Sequence, residues 1–76
     1  MVILITGITS GFGKAIAEKL NSKGHIVYGT HRRDVELIAG VHYIKGDSTS
    51  EEDVERVVKE VITAEGHIDV FINNAG

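Results

Sequence analysis

Apolar residues along this chain occur in two patterns, short continuous runs and helical spacing. The run Val2–Ile5 is entirely apolar, rich in β-branched residues and bounded by Thr6-Gly7. Such a run is typical of a strand that is buried on both faces, as in a parallel sheet. Further apolar runs predict strands at His25–Gly29, Val41–Lys45 and Ile68–Ile72.

Helical spacing follows the first strand and returns later in the chain. From Gly11 to about Leu20, apolar residues recur every fourth position, beginning with Phe12 and Ile16. A second helix is expected to begin after a segment with the form of a capping box, Ser50 to Asp53, and to end at Gly66. Its apolar stripe consists of Val54, Val57, Val58, Val61 and Ile62.

The expected element order is β-α-β-(short α)-β-α-β, because residues 34–40 leave room for at most two helical turns. Right-handed crossovers then give a parallel sheet in the order 3-2-1-4 with one long helix on each face. The third strand alternates polar and apolar residues, which favours a place at the sheet edge. The sequence therefore predicts a partial Rossmann-like α/β domain over residues 1–76, without a second domain.

Composition narrows the classes of protein that remain. The chain has 76 residues, 42% of them hydrophobic, with neither Pro nor Cys and a formal net charge of −3. These values argue against disorder, a disulfide framework, and nucleic acid or an anionic membrane as a partner. The opening apolar run is too short for a membrane helix and lacks a basic leader, so a cytoplasmic location is expected by default.

Candidate chemistry starts at the turn between the first strand and the first helix, which contains Gly7, Gly11 and Gly13. Glycines allow close backbone approach, and a helix N-terminus attracts phosphate, so a diphosphate is the expected ligand. A tight strand-to-helix connection is the plainer alternative. A triphosphate P-loop fails on spacing, because Ile8 and Ala15 occupy the positions that need glycine and Ser or Thr.

Three motifs together resemble the cofactor half of the short-chain dehydrogenase/reductase family. They are Thr6-Gly7-x-x-x-Gly11-x-Gly13 after the first strand, Asp47 after the third strand, and Asn73-Asn74-Ala75-Gly76 after the fourth. Their order and approximate spacing match the family's, and the resemblance covers the whole chain. It implies hydride transfer between a nicotinamide cofactor and a small alcohol or carbonyl substrate.

The resemblance also implies roles for individual residues in binding the dinucleotide. Contacts to the phosphates and the adenosine side would come from Gly7, Thr9, Ser10 and Phe12, with Gly11 and Gly13 allowing close approach. Asp47 would accept a hydrogen bond from the adenine amino group, beside the Ser48 backbone. Asn74, Ala75 and Gly76 would line the adenosine ribose, and Asn73 would brace the sheet. Without the accompanying motifs, Asp47 would be interpreted as a turn residue.

The segment His31-Arg32-Arg33, which follows the second strand, indicates which dinucleotide is bound. NAD sites usually place an acid here to hold the ribose hydroxyls, whereas a 2′-phosphate needs cations. A guanidinium can hold phosphate bidentately and stays charged. We therefore predict NADP(H) over NAD(H), with Arg32 as the main contact and Arg33 or His31 auxiliary; a solvated basic loop is the alternative.

The family's catalytic Tyr-x-x-x-Lys pair is not present, because Arg32 and Asp47 stand four residues after Tyr28 and Tyr43. We therefore assign no catalytic residue, and the scattered histidines indicate no metal site. One hypothesis is that the chain is part of a longer oxidoreductase whose catalytic groups lie beyond Gly76. The other is a complete, non-catalytic dinucleotide-binding module, acting as a sensor or partner subunit. In either case, exposed strand and sheet surface predicts self-association of the 76 residues.

Overall fold

The computed structural model describes residues 1–8, 11–32 and 38–74. Its elements are β1 (Val2–Thr6), α1 (Gly11–Ser22), β2 (Ile26–His31), β3 (His42–Lys45), α2 (Glu51–Glu65) and β4 (Val70–Asn73). The four strands form one parallel sheet in the order β3-β2-β1-β4. The predicted fold class and strand order are thereby confirmed, including the edge position of the third strand.

The two helices cover opposite faces of the sheet because the side chains of β1 alternate. Ile3 and Ile5 belong to the apolar cluster that includes Ala17 of α1. Leu4 belongs to the other cluster, which includes Val57 of α2. All five side chains are at most 1% exposed. Since β1 has no solvent-facing side, an uninterrupted apolar run is what its position requires.

Helix α2 begins and ends at the residues that the sequence predicts. Ser50 is the N-cap, with its hydroxyl accepting the Asp53 N–H at 3.3 Å, and Gly66 closes the helix in the left-handed region at φ 87°. However, only one of the two hydrogen bonds of a capping box is formed, the one from the Asp53 N–H to the Ser50 hydroxyl. The Asp53 carboxylate accepts the N–H of Asp47, at 2.8 Å, and the Ser50 N–H donates to the Asp47 carbonyl. The shorter Asp side chain therefore links the helix to the preceding turn.

Two apolar residues depart from the predicted helical stripes. Phe12 is 76% exposed and Ile62 is 45% exposed. In α1 Gly13 and Ala17 are buried, and Ile16 and Leu20 are partly buried against the same apolar cluster. At 3.6 residues per turn, Phe12 lies about 100° around the helix from Gly13. The every-fourth-residue pattern from Phe12 to Leu20 therefore misplaces the start of the buried face.

Strand bounds differ by one or two residues from those predicted. The fourth strand runs from Val70 to Asn73, and the residue before it, Asp69, bonds with Val2 at the start of β1 through both its N–H and its carboxylate. The second strand extends to His31. The short helix considered for residues 34–40 falls largely outside the described residues.

Candidate functional site

The ends of β1, β2, β3 and β4 lie along one edge of the sheet because all four strands are parallel. This edge is where ligands bind in open α/β sheets. The predicted site residues in the described part of the chain that follow these strands or open α1 are Gly7, Gly11, Phe12, Gly13, His31, Arg32, Asp47, Ser48 and Asn74. Thr9, Ser10, Arg33, Ala75 and Gly76 were also predicted and lie outside the described residues.

The turn after β1 starts at Gly7, which has a positive φ of 68°. Its N–H donates to the Thr30 hydroxyl at 2.9 Å, and its carbonyl accepts the side-chain amide of Asn74 at 3.0 Å. Both backbone polar groups of Gly7 therefore have partners within the chain. A side chain at this φ would be strained, so the turn requires glycine.

Gly13 allows the first turn of α1 to lie directly against the end of β1. A Cβ atom built on Gly13 would lie 2.4 Å from Asn74 Nδ2 and 2.5 Å from the Gly7 carbonyl oxygen. These distances are far below van der Waals contact, so no larger residue fits without displacement. The N-terminus of α1 is thereby brought to the sheet edge, and unpaired N–H groups at such a position favour a phosphate.

Hydrogen bonds join the ends of β1 and β4. The Thr6 hydroxyl donates to Asn73 Oδ1 at 2.9 Å and accepts the Asn74 N–H at 3.0 Å. Thr6 is 1% exposed. This network holds Asn74 in the position from which its amide reaches Gly7, so the last residues of β4 and the turn after β1 form one unit.

The turn after β3 presents the Asp47 carboxylate in a defined orientation. Asp47 Oδ1 accepts two hydrogen bonds from Thr49, one from the hydroxyl at 2.6 Å and one from the N–H at 2.9 Å. These bonds, and then the nearby charge of Arg32, hold the pKa of the Asp47 carboxyl below its usual value. Asp47 is therefore an anion at neutral pH and acts only as a hydrogen-bond acceptor.

Arg32 lies immediately after β2 and approaches the Asp47 carboxylate. Its Nη1 atom is 3.8 Å from Asp47 Oδ2, and its side chain is 60% exposed. His31, the last residue of β2, packs edge-on against Tyr43. An open cleft of about 430 Å³ lies here, lined by Arg32, Lys45, Gly46, Asp47, Asp53 and Arg56. The cleft combines a cation and an anion at the sheet edge.

Three residues that shape the site were not predicted from the sequence as site residues. Thr30 bonds to Gly7, Asp53 bonds to the Asp47 N–H, and Arg56 Nη2 donates to the Lys45 carbonyl at 2.6 Å. The Asp at the third helical position was the available signal for Asp53. Thr30 gave no signal, because its contact joins residues that lie 23 positions apart.

Other kinds of site find no support in the described part of the chain. No group of three His, Cys, Asp or Glu residues is arranged to hold a metal ion within residues 1–8, 11–32 and 38–74. None of the helices described is long and apolar enough to cross a membrane.

The family model for short chain dehydrogenases matches residues 1–76. The chain belongs to this family. Its enzymes use a nicotinamide dinucleotide cofactor and act on small molecules. In this member of the family, the glycine turn, Asp47 and the Asn73-Asn74 segment lie at the edge of the parallel sheet where ligands bind in open α/β folds.

Curated relatives are similar over nearly all of the chain. A 3-ketodihydrosphingosine reductase of Bacteroides thetaiotaomicron is 48% identical over 75 residues, which cover 99% of this chain and 28% of that protein. A 3-oxoacyl-[acyl-carrier-protein] reductase of Haemophilus influenzae is 38% identical over 82 residues, covering 99% and 34%. The chain thus spans about a third or less of the length of these relatives.

Solved structures show the same arrangement. A putative 3-oxoacyl-reductase from Bacillus thuringiensis matches with a TM-score of 0.83 and 36% identity, covering 100% of this chain and 36% of that one. The aldohexose dehydrogenase of Thermoplasma acidophilum matches with a TM-score of 0.88 and 30% identity, covering 99% and 29%. Both support the strand order and the placement of the two helices.

Proposed function

We propose that this chain is the NADP(H)-binding, N-terminal part of the Rossmann domain of a longer, single-domain short-chain oxidoreductase. The observation that carries the choice of cofactor is the position of Arg32, directly after β2 and 3.8 Å from Asp47. The bound cofactor would supply hydride transfer between its nicotinamide and an alcohol or carbonyl substrate. The described residues bind and orient the cofactor.

Arg32 would hold the 2′-phosphate that distinguishes NADP from NAD. Its guanidinium is exposed enough to meet a ligand and planar enough to bind a phosphate through two parallel hydrogen bonds. The neighbouring Asp47 restricts its position without burying its charge. An acid at this place, as in many NAD sites, would repel the same phosphate. His31 and Arg33 are the proposed auxiliary contacts.

The turn after β3 would recognise the adenine. Thr49 occupies Asp47 Oδ1, which leaves Asp47 Oδ2 on the side of Arg32 and the cleft. An ionised carboxylate accepts hydrogen bonds from an exocyclic amino group. The Ser48 backbone adjoins this position. Adenine and 2′-phosphate recognition would therefore come from residues that are already in contact with each other.

The phosphates would lie at the first turn of α1. Gly11 and Gly13 open this helix, and the close packing of Gly13 on Gly7 and Asn74 fixes its position relative to the sheet. Gly7, Thr9, Ser10 and Phe12 are the proposed contacts on this side, and Asn74, Ala75 and Gly76 are the proposed contacts to the adenosine ribose. The local partial positive charge of the helix N-terminus supports this placement in a chain whose net charge is negative.

The catalytic half of the proposed enzyme would follow Gly76. Support comes from the fraction of each relative's length that this chain spans, 28% and 34%. Intact mass spectrometry of the natural protein tests this point. A mass well above the 8.2 kDa of these residues agrees with the proposal, whereas 8.2 kDa would contradict it and leave a binding module.

The cofactor assignment is tested by Arg32→Ala in the full-length protein, with dissociation constants measured for NADPH and NADH. Loss of a charge-assisted hydrogen bond should weaken NADPH binding about tenfold or more and leave NADH binding nearly unchanged. Lys59→Ala is a matched control, since it also removes one positive charge but lies on the exposed face of α2. Equal losses for both cofactors in the Arg32 variant would refute the assignment.

A further inference from the structure

Thr30 is a buried polar residue in the middle of the site and has no role in the proposed binding of the cofactor. It is 2% exposed and lies between Gly29 and His31 in β2. Its hydroxyl accepts the Gly7 N–H at 2.9 Å, and its carbonyl accepts the Ile8 N–H at 3.1 Å. One residue of β2 therefore holds two consecutive amides of the glycine turn.

Gly29, the residue before Thr30, packs against the same turn, in contact with Ile8. Ile8 is 1% exposed, and its side chain fills the space above Gly29, where a Cβ atom would lie 2.0 Å from Ile8 Cδ1. The dipeptide Gly29-Thr30 thus fixes the start of the turn through two hydrogen bonds and one apolar contact. This is more than continuation of the β1–β2 ladder requires, because the bond to Gly7 uses a side chain.

The chemistry of Thr30 suits it to this task. A β-branched side chain has few rotamers, so its hydroxyl is held in place without cofactor. A partly buried N–H that loses its acceptor carries a desolvation cost, which makes the Gly7 conformation dependent on this hydroxyl. The Gly7 N–H is thereby committed to Thr30, whereas the Gly7 carbonyl, which accepts the Asn74 amide, keeps a second lone pair that a ligand can use.

We infer that Thr30 is a positioning residue that sets the conformation of the dinucleotide-binding turn at Gly7 before cofactor arrives. The inference rests on the proposed function. Thr30 acts through Gly7 and Ile8 and touches no cofactor atom itself. Since His31 and Arg32 follow it directly, it also fixes the distance between the phosphate-binding turn and the residues that hold the 2′-phosphate.

The test compares Thr30→Val and Thr30→Ser in the full-length protein, with NADP⁺ and adenosine 2′-monophosphate as ligands. The valine variant keeps the shape of Thr30 and removes the acceptor, so the competent turn becomes a minor population and NADP⁺ binding weakens about tenfold. Adenosine 2′-monophosphate has no diphosphate, so its binding should change less than about twofold. The serine variant keeps the hydroxyl and should restore NADP⁺ binding.

Equal weakening for the two ligands, or no rescue by serine, would overturn the inference in favour of a purely structural role. Thr63→Val, on the exposed face of α2, controls for the loss of a hydroxyl. Hydrogen exchange at the Gly7 amide in the unaltered protein gives a second test that needs no variant. The amide should already be protected without cofactor, and protection that appears only on binding would contradict the inference.

These outcomes separate the inference from the proposed function. If the unaltered protein fails to bind NADP⁺, the proposed function is wrong. If it binds NADP⁺ and Thr30→Val binds equally well, the proposed function stands and the role of Thr30 is wrong.

Discussion

Arg32 Nη1 lies 3.8 Å from Asp47 Oδ2, although the two residues belong to turns that follow different strands. The sheet register explains the contact. His31 pairs with Lys45, so β2 and β3 end side by side in the sheet. A basic residue directly after β2 therefore meets an acidic residue placed two positions after β3. In the proposed site, this contact joins the 2′-phosphate and adenine subsites.

The Asp47 carboxyl should titrate below its usual range, mainly because of Thr49. Thr49→Val removes the hydroxyl that donates at 2.6 Å, so the pKa of Asp47 should rise toward its ordinary value. Arg32→Ala should raise it by less, since the charge of Arg32 is the smaller influence. Carbon-13 NMR titration of the carboxyl measures both shifts.

Because the pKa of Asp47 is lowered in the folded protein, its ionisation stabilises the fold at neutral pH. The folded protein releases the Asp47 proton more readily than the unfolded chain, so this contribution is complete above the unfolded value of about 3.9 and is lost as pH falls through the folded value. Urea unfolding from about pH 7 down to pH 3 should show a smaller acid-induced loss in Thr49→Val than in the unaltered protein. An identical pH dependence would count against the Thr49 contacts.

Gly13→Ala should destabilise the protein, although Gly→Ala in an open helix usually stabilises by about 1 kcal/mol. The new methyl group would overlap Asn74 Nδ2 and the Gly7 carbonyl, and overpacking of this kind costs about 1–3 kcal/mol. NADPH binding should weaken as well, because the first turn of α1 is displaced. Urea unfolding and cofactor titration measure the two effects.

Gly24→Ala is the matched control for Gly13→Ala. Gly24 has a φ of 87° with no atom within 4 Å of a Cβ position, so only backbone strain of about 1 kcal/mol is expected. Stability should therefore fall without a change in NADPH affinity. A Gly13→Ala protein as stable and as tightly bound to NADPH as the unaltered one would show that the packing at Gly13 is looser than described.

Tyr28 ties the end of α2 to the sheet through a hydrogen bond from its hydroxyl to Glu65 Oε2 at 2.6 Å. Tyr28→Phe should lower the free energy of unfolding by about 1 kcal/mol. The bond to Glu65, with burial and the negative charge of Glu65, raises the pKa of Tyr28 to about 12. The stabilisation is therefore complete below the ordinary value of about 10 and is lost as pH rises through 12.

Glu65→Gln provides the control for the tyrosine prediction, since it keeps an acceptor and removes the charge. The pKa of Tyr28 should fall closer to its ordinary value in this variant, as measured by NMR of labelled tyrosine. No difference between Glu65→Gln and the unaltered protein would show that Tyr28 is not paired with Glu65 in solution.

The 76 residues produced alone should self-associate. Phe71, at the outer strand β4, is 44% exposed, and Ile62 on α2 is 45% exposed. Exposed apolar side chains beside a strand edge favour pairing between copies. Sedimentation at increasing concentration should detect a dimer or larger species. A monodisperse monomer at high concentration would contradict this expectation.

The hydrophobic periods of the sequence were sufficient to predict the strands and helices, and the right-handed crossover rule then gave the strand order. The continuous apolar run of β1 identifies a central strand. The apolar stripe of α2 identifies a helix, and its two ends are marked by the capping residues Ser50 and Gly66. Contacts between residues that are distant along the chain could not be predicted from the sequence. The bond of Thr30 to Gly7 and the packing of Gly13 on Asn74 depend on strand register, which the uninterrupted apolar run of β1 does not fix because both of its faces are buried.

Binding of NADPH and NADH to the unaltered full-length protein tests the central claim most directly. Titration followed by nicotinamide fluorescence gives both dissociation constants under the same conditions. We expect NADPH to bind at least about tenfold more tightly than NADH, because Arg32 contributes a charge-assisted contact that only the 2′-phosphate can make. Absence of binding, or NADH binding as tightly as NADPH, would contradict it.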